Sequence, residues 1–593
     1  MNKIKRKAFL KMGTLAMLVP FTNGFLLQAT PQHRKKDFRF INDLLQKLVS
    51  ANDTQVAHLI QTTNFKAVNF SRRIGYEFAA FTAAYAAANS KYFQSPLVVS
   101  QLEQYLVVLE KAQSPDGTVN IGNLESPPDT AFLLEYLTAA AFLLKKQNAP
   151  SLTGVKSRIK NFIVNSAGAL TEGGVHTPNH RWVICAALAR INNLYPNKKY
   201  TDRIEEWLDE GVYNDSDGQY PERSRIYSYV EDNALLTMGR LLNKPALYEP
   251  VKKNLETTYY YMDPNGDLVT TDSRRQDQYM NKTIVSYYLL YRHMAIKENN
   301  AFFAGVADTI EQLKGFEEEI ISRHLIDFME EPVLLQAMPE AQALPVTYEK
   351  LFPKSHLLRI RRGDTTTTLF GGADLPITIA SGRSNSPNFF AFRKGKAILK
   401  YLRLSTSFFS TGYFYSDGIK KEGNAYVLHR KLDVPYYQPL PKNLRNKAGD
   451  YTLSPSIDDR FWNKMAFANR PVSNVKTLLT KVTLEENNGV NKLSFDIGGQ
   501  AGVAITIELC FLENGKLSGV SSPEEGNSFL ENGTGTYEFE GDTINFGPGV
   551  LAHKNIKGLE GERYSTHFGT LRTEGMHVYL TGITPFKHTI TIT

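Results

Sequence analysis

TEGGVHTPNHRWVICAALARINNLYP, residues 171–196, sets a polar Asn179-His180-Arg181-Trp182 cluster directly before a run of small apolar residues. The run has the broad apolar surface of a helix that buries against other helices. Pro178 favours an extended approach, and the Asn179 side-chain oxygen suits an N-cap, accepting an early helix N–H. That role accounts for Asn179 and leaves His180 and Trp182 at the same mouth unexplained.

The neighbouring sequence repeats the pattern. YEFAAFTAAYAAANSKYF, TAFLLEYLTAAAFLLKK, YVEDNALLTMGRLLN and YMNKTIVSYYLLYRHMAI are further Ala/Leu-rich helical segments. Turn glycines at 117, 168, 218 and 266 punctuate them, separated by 51, 50 and 48 residues. This period suits one helical hairpin per repeat. About a dozen residues after each glycine a new helix is expected, near Asp129, Asn179, Tyr229 and Asp277, at one end of a closed or partly closed ring of hairpins.

After about residue 345 the chain changes character. TTTTLFGG, AILKYLRLSTSF, KLSFDIGG, VAITIELCFL and GMHVYLTG are β-branched and aromatic, bounded by Gly, Asn and Asp, as strands are. The expected fold is multidomain α+β: an N-terminal (α/α) toroid of helical hairpins over residues 31–345, then a large antiparallel β-sandwich region over 350–593, in one or two sub-domains. At 593 residues the chain is long enough for several cores.

Residues 1–30 carry Lys3, Lys5, Arg6, Lys7 and Lys11 ahead of an apolar stretch from Met12 to Leu27, the outline of an export signal. RKAFLKM resembles a twin-arginine signal with Lys7 in the second arginine's place, and the expected location is periplasmic or secreted. No later segment has the continuous apolar length of a transmembrane helix. The composition, 42% hydrophobic and 22% charged, is that of a folded chain. A net charge of +8 without a tight basic module points away from nucleic acid and is compatible with an acidic carbohydrate. Cys185 and Cys510 lie far apart and read as buried thiols in a helix and a strand.

Chemistry concentrates on the inter-helix connections. A histidine at a helix mouth is favoured in its neutral form and can act as a general base, which gives His180 a role. One repeat later, GQYPERSRIYSY supplies Glu222, Arg225, Tyr227 and Tyr229, and the next connection adds Arg274 and Arg275. Tyrosine offers a phenolic proton and arginine a planar fork for a carboxylate. Asp272 or Asp277 can orient a neighbour, and Trp182 can either stack on a sugar or pack between hairpins.

Together, the leader, the helical repeats, the Asn179-His180 pair, the 218–229 segment and the β region resemble the toroid-type polysaccharide lyases of the heparinase II/III-like superfamily. The resemblance implies β-elimination on an acidic polysaccharide or oligosaccharide containing a 4-linked uronic acid. Asn179, with Arg225 or Arg274, would stabilise the carboxylate, and His180 with Tyr227 or Tyr229 would move protons. Glu222, Tyr227 and Tyr229 resemble the family's Glu-Gly-x-x-Tyr segment, with Arg223 in the glycine's place. Arg275, Trp182 and, from the β region, Arg362, Arg383 and His429 are further substrate-binding candidates. No cofactor is expected. Some members hold a structural metal, but His356, His429, His553, His567 and His577 form no compact ligand pattern, so neither calcium nor zinc is assigned.

Two other readings compete. A glycoside hydrolase on an α/α ring would use paired carboxylates drawn from Glu222, Glu231, Asp232, Asp272 and Asp277. A non-catalytic polysaccharide-binding protein would bind without turnover.

Overall fold

A computed structural model describes residues 38–372, 387–409, 411–454, 465–524, 526–550 and 573–593. The expected export signal and Arg383 lie outside them. The helical region runs through α1 (Phe38–Thr62), α2 (Arg73–Ala86), α3 (Pro96–Ala112), α4 (Pro127–Lys145), α5 (Thr153–Glu172), α6 (Pro178–Leu194), α7 (Lys198–Leu208), α8 (Arg225–Leu241), α9 (Tyr248–Tyr260), α10 (Tyr288–Lys297), α11 (Ala301–Ile310) and α12 (Leu325–Glu330). One layer packs in the order α2, α4, α6, α8, with α10 beside α8, and a second in the order α3, α5, α7. The first layer is apolar over most of its surface: α4 buries Leu133, Leu134 and Leu137, and α6 buries Trp182, Ile184, Cys185 and Leu188.

Three of the four turn glycines do the work expected of them. Gly117, Gly218 and Gly266 all have left-handed φ, of 91°, 83° and 90°. Each turn closes with the same pair of backbone bonds, from Gly117 to Ser114, Gly218 to Asp215 and Gly266 to Asp263 at 2.9–3.1 Å, with return bonds of 2.8–2.9 Å from Ser114, Asp215 and Asp263. A Cβ on Gly117 would lie 2.2 Å from the Asn165 carbonyl oxygen, and one on Gly218 2.7 Å from that of Lys253, so both positions need glycine for space as well as for φ. Gly168 is a correction: it sits inside α5, which runs unbroken to Glu172, leaves through the extended Gly173 and bends only at His176-Thr177. The fourth expected helix start is also displaced. A short 3-10 turn, Gln276–Tyr279, occupies the place expected near Asp277, and α10 begins at Tyr288.

At the opposite ends of these helices, α12 ties the layer together. Glu330 accepts from Arg190 of α6 at 2.5 Å and from Arg240 of α8 at 3.4 Å, while Glu331 pairs with His293 of α10.

The β region holds two sheets. One orders its strands Ile419–Glu422, Ala425–Tyr437, Val472–Asn487, Val490–Gly499, Phe586–Ile592, Asp542–Gly547, Gly535–Phe539 and Lys516–Ser518. The other runs Ser521–Glu524, Asn527–Phe529, Met576–Ile583, Ala504–Phe511, Ala397–Thr406, Phe390–Lys394, Thr365–Phe370, Leu357–Arg362 and Thr347–Phe352. Among the described residues pairing is antiparallel except between Asn527–Phe529 and Met576–Ile583, which run parallel, a departure from the all-antiparallel expectation. Alternate residues of both sheets, among them Leu358, Leu402, Ile507, Val482 and Phe495, share one apolar core. Cys185 and Cys510 are both buried free thiols.

The β region docks on the turn ends of the hairpins. Arg359, 1% exposed, ion-pairs with Asp263 and donates to the Tyr260 carbonyl at 3.2 Å. Arg393 reaches Asp267 at 2.9 Å, and the Ser355 amide donates to Asp217 at 2.8 Å. Burial alone would raise the Asp263 carboxyl, but Arg359 and Arg393 beside it hold it below the usual carboxylate range. Its stabilisation is therefore complete above about pH 4, the ordinary aspartate value, and is lost as acid protonates it below that. Arg359→Met is expected to cost about 1–3 kcal/mol in denaturant unfolding, because it leaves the part-buried Asp263 with Arg393 as its remaining cation, and to move the onset of acid unfolding to higher pH.

Candidate active site

The N-termini of α6 and α8 and the loop before α10 converge. Thr177, in extended conformation, occupies the cap of α6, and Asn179 lies one residue inside the helix start at Pro178. The N-cap expected at Asn179 is thus corrected: its side chain points across to the next repeat. Both its backbone N–H (2.8 Å) and its Nδ2 (2.6 Å) donate to Oε1 of Glu222. The other carboxylate oxygen of Glu222 pairs with Arg275. One carboxylate therefore gathers three donors from two other segments.

Glu222 is held in turn by the start of α8. Ser224 caps that helix, accepting from the Tyr227 amide at 3.2 Å. Asp277 accepts from the Ser224 hydroxyl at 2.9 Å, the Arg225 amide at 2.7 Å and the Ser273 hydroxyl at 2.6 Å, so it fixes the α8 start from the following connection. Between Glu222 and Ser224, Arg223 adopts a left-handed φ of 42° and donates to the Lys354 carbonyl at 3.2 Å, which places the edge of the β region beside this segment.

The two candidate tyrosines differ sharply in setting. The Arg275 guanidinium lies 4.0 Å over the Tyr227 ring, and Gln276 Nε2 donates to the Tyr227 hydroxyl at 2.5 Å, so Tyr227 joins the Glu222 network. Tyr229 turns the other way, its ring 5.5 Å from that of Tyr287. Burial pushes its phenol well above the usual tyrosine range, and the neighbouring Glu135 pushes the same way.

His180 faces a different group. Its Nδ1 lies 2.9 Å from Thr177 Oγ1, and its ring meets His176 at 4.9 Å and Phe132 at 6.3 Å, both edge to face. Burial, then the adjacent His176, lowers its pKa to about 4, leaving the imidazole neutral at physiological pH. Arg72 stacks 4.1 Å over Phe132 and pairs with Asp129, which also accepts from Asn123 at 2.7 Å.

Other expected residues take structural positions. Trp182 is 1% exposed and packs in the helical core with Arg181 over its ring, so it presents no face for a sugar. Arg225 is likewise buried, 4.2 Å over Tyr261, bonded to Gln219 at 3.2 Å and 3.8 Å from Asp272. Arg362 ties two strands together through the Tyr348 carbonyl (2.9 Å) and Glu486 (2.7 Å). Arg274 flanks the network, its backbone N–H bonding the Arg223 carbonyl at 3.0 Å. His429 lies opposite Lys481 in its strand, its amide bonded to Ser416 at 3.0 Å. Sequence reading passed over Thr177, Asn123, Phe132, Arg72 and Gln276. The second histidine, His176, just before the start of α6, was the visible hint. Among the described residues no group of three His, Cys, Asp or Glu side chains converges to hold a metal ion.

Neither a protein-family profile nor a curated protein matches the chain. Solved structures do. The fold is similar to that of a heparinase III, with 13% identity, 89% of this chain and 78% of that one covered, and a TM-score of 0.52. It is similar to the Streptomyces coelicolor A3 chondroitin AC lyase, seen in complex with chondroitin sulphate, with 12% identity, 92% and 79% covered, and a TM-score of 0.50. A Paenibacillus xanthan lyase matches with 10% identity, 93% and 59% covered, and a TM-score of 0.54. At this level of identity the likeness is one of fold alone.

Proposed function

We propose that this protein is a polysaccharide lyase that cleaves a 4-linked uronic-acid-containing polysaccharide or oligosaccharide by β-elimination, acting in the periplasm or outside the cell as its N-terminal stretch suggests. In this reading the hairpins form an (α/α) toroid and the two sheets a sandwich, as the successive packing of the helices and the shared sheet core support. The observation that carries the proposal is the Glu222 carboxylate gathering Asn179 and Arg275, with Tyr227 under Arg275.

The C5 proton of a uronate is poorly acidic while the carboxylate keeps its full charge, so donors must stabilise the developing enediolate. Arg275 is the outward donor, its side chain 13% exposed, whereas Asn179 is fully buried behind it. The substrate carboxylate meets the Arg275 Nε–H, which Glu222 leaves unused, and the second N–H of the Asn179 amide, with Arg274 flanking and the Arg275–Glu222 pair kept. Neutral His180 takes the C5 proton on Nε2 while its Nδ1–H donates to Thr177 Oγ1. The C4–C5 double bond forms, the C4–O bond breaks, and the Tyr227 hydroxyl protonates the departing oxygen. Tyr229, whose phenol is held by burial, stays outside this exchange. No water is consumed.

The hydrolase reading finds little support. Glu222, Glu231, Asp232, Asp272 and Asp277 are all buried, at 6%, 1%, 0%, 2% and 0% exposure. Asp277, Glu222 and Asp272 are bonded to other protein groups, Asp272 accepting from Tyr261 at 2.9 Å. None is left as an accessible acid facing a second accessible base, as inverting or retaining hydrolysis needs.

A screen of uronate polysaccharides should give products with the ultraviolet absorbance of a conjugated double bond and no incorporation of solvent oxygen; a saturated, oxygen-labelled product would sink the proposal. His180→Ala should lower kcat by on the order of a hundredfold or more with the fold intact. Because His180 is neutral down to a pKa of about 4, the acidic limb of kcat/KM should lie near that value and well below the ordinary histidine range. Glu222→Gln keeps an oxygen for Asn179 and removes the charge from Arg275; kcat/KM should fall on the order of a hundredfold through lost positioning, with the circular-dichroism spectrum unchanged.

A further inference from the structure

Nine of the eighteen large apolar side chains exposed among the described residues fall within residues 409–479. The same part of the chain is basic: residues 429–481 hold ten Lys and Arg against four Asp and no Glu, a net +6 of the chain's +8. Both features collect on one projection. The strands Ala425–Tyr437 and Val472–Asn487 pair from Ala425 with Glu485 to Tyr437 with Val472. On one side the neighbouring strand pairs only with residues 425–428, and on the other only with residues 478–487. Among the described residues, 431–437 and 472–476 therefore form a two-stranded ribbon that runs on past the sheet.

Opposed residues of such a ribbon share a face, and successive ones alternate between faces. Val475 opposite Pro435 and Leu479 opposite Lys431 take one face, and Tyr436 takes the other, with the Phe409 ring 5.9 Å from its own. Tyr437 and Val472 end the register, the Tyr437 ring 4.7 Å from that of Phe467. Both faces thus expose apolar side chains, Val472 and Val475 at 50% and 51%. A ribbon of two strands is marginal in water and gains from a surface that takes up such side chains. Past Tyr437 the chain turns through Lys442–Leu444, where Leu444 is exposed next to Arg445. Lys431 pairs with Asp433 at 2.8 Å and Lys481 with Glu422 at 3.3 Å. Lys442, Arg445, Lys447, Arg470 and Lys476 form no ion pair among the described residues.

A partner must therefore offer negative charge and an apolar layer together. A second copy of this chain would set the same cations against themselves. A hydrated glycan would meet the charge but gives Val472, Val475 and Leu479 nothing to bury against. The surface of an anionic bilayer supplies both, headgroup phosphates for lysine and arginine and the acyl boundary for aliphatic side chains and tyrosine rings. No helix of the described residues is long and apolar enough to cross a membrane, so this contact is one at the surface. We infer that the ribbon docks on an anionic phospholipid bilayer, with Tyr436, Tyr437, Val472 and Val475 entering the interface and the five unpaired cations meeting the headgroups. None of these residues belongs to the Glu222 network, so the inference stands apart from the lyase reading.

The test uses the full chain and a probe read at the ribbon itself, since residues 1–30 are also basic and apolar. Val475→Cys is labelled with a polarity-sensitive dye, while Cys185 and Cys510 are buried and stay unlabelled in the folded chain. Vesicles of phosphatidylethanolamine with phosphatidylglycerol should shift the emission to the blue, and vesicles of phosphatidylcholine should leave it in place. The vesicle concentration at half shift should rise about tenfold or more when Lys442, Arg445 and Lys447 are all changed to Glu, when Tyr436 and Tyr437 are changed to Ser, and when salt is raised. These five side chains are exposed, so the thermal midpoint should stay that of the parent. Unchanged emission on anionic vesicles, equal shifts on both kinds of vesicle, or variants that bind as the parent does would overturn the inference. A blue shift with alginate or chondroitin and none with vesicles would assign the ribbon to a glycan instead, and one from raised protein concentration alone would assign it to a second copy.

Discussion

One buried carboxylate organises this end of the helical region. Glu222 accepts both the backbone and side-chain N–H of Asn179 and pairs with Arg275, so a residue before α8 fixes the first turn of α6 and the loop before α10 together. A carboxylate this buried, 6% exposed, is stable only while its donors stay in place, since an unpaired charge in such a site costs several kcal/mol. Three successive connections must therefore hold their relative positions. The chemistry proposed for Arg275, Asn179 and Tyr227 inherits that rigidity, because each side chain is located by the same two oxygens or by a neighbour of them.

A second layer of constraint comes from outside the helices. The Ser355 amide on Asp217 and the Lys354 carbonyl under Arg223 bring the β region against the segment that carries Glu222, while Arg359 and Arg393 pin the next turn. The left-handed Arg223 backbone is what lets the chain pass from Glu222, facing α6, to Ser224, capping α8, within two residues. Acting together, these bonds make the β region part of the support for the site, although among the described residues no β side chain belongs to the Glu222 network.

Much of this was legible in the sequence for reasons that can be stated. Helix periodicity and turn glycines are local signals, and Gly117, Gly218 and Gly266 sit where their spacing put them. Gly168 misled because a spacing of fifty residues is only an average: its hairpin lengthens α5 and bends at His176-Thr177, and a solvent-facing helical glycine carries no mark that separates it from a turn glycine. The choice between Tyr227 and Tyr229 was beyond sequence alone. Two residues span just over half a helical turn, so the side chains leave α8 on opposite sides, and only the tertiary structure shows which side Arg275 occupies. Arg225 misled for the converse reason, and Trp182, open between sugar and core in the sequence, lies in the core: an aromatic ring or a guanidinium beside a site looks the same on paper whether it faces ligand or core.

The turn at Asp263–Asp267 serves two masters. It closes a hairpin through its own backbone, and its two aspartates receive the arginines of the β region. Surface loops are ordinarily where lineages accept insertions and drift fastest. Here an added residue would displace Asp263 or Asp267 from Arg359 or Arg393, and each arginine is constrained in the same way by its acid. The turn at Ser114–Gly117 bonds instead to α5, through Gln113 and Ser166. Length is therefore fixed at both turns, at the earlier one by the fit of Gly117 against α5 and at the later one by its arginines, and only the later one can change by paired exchange of acid and arginine.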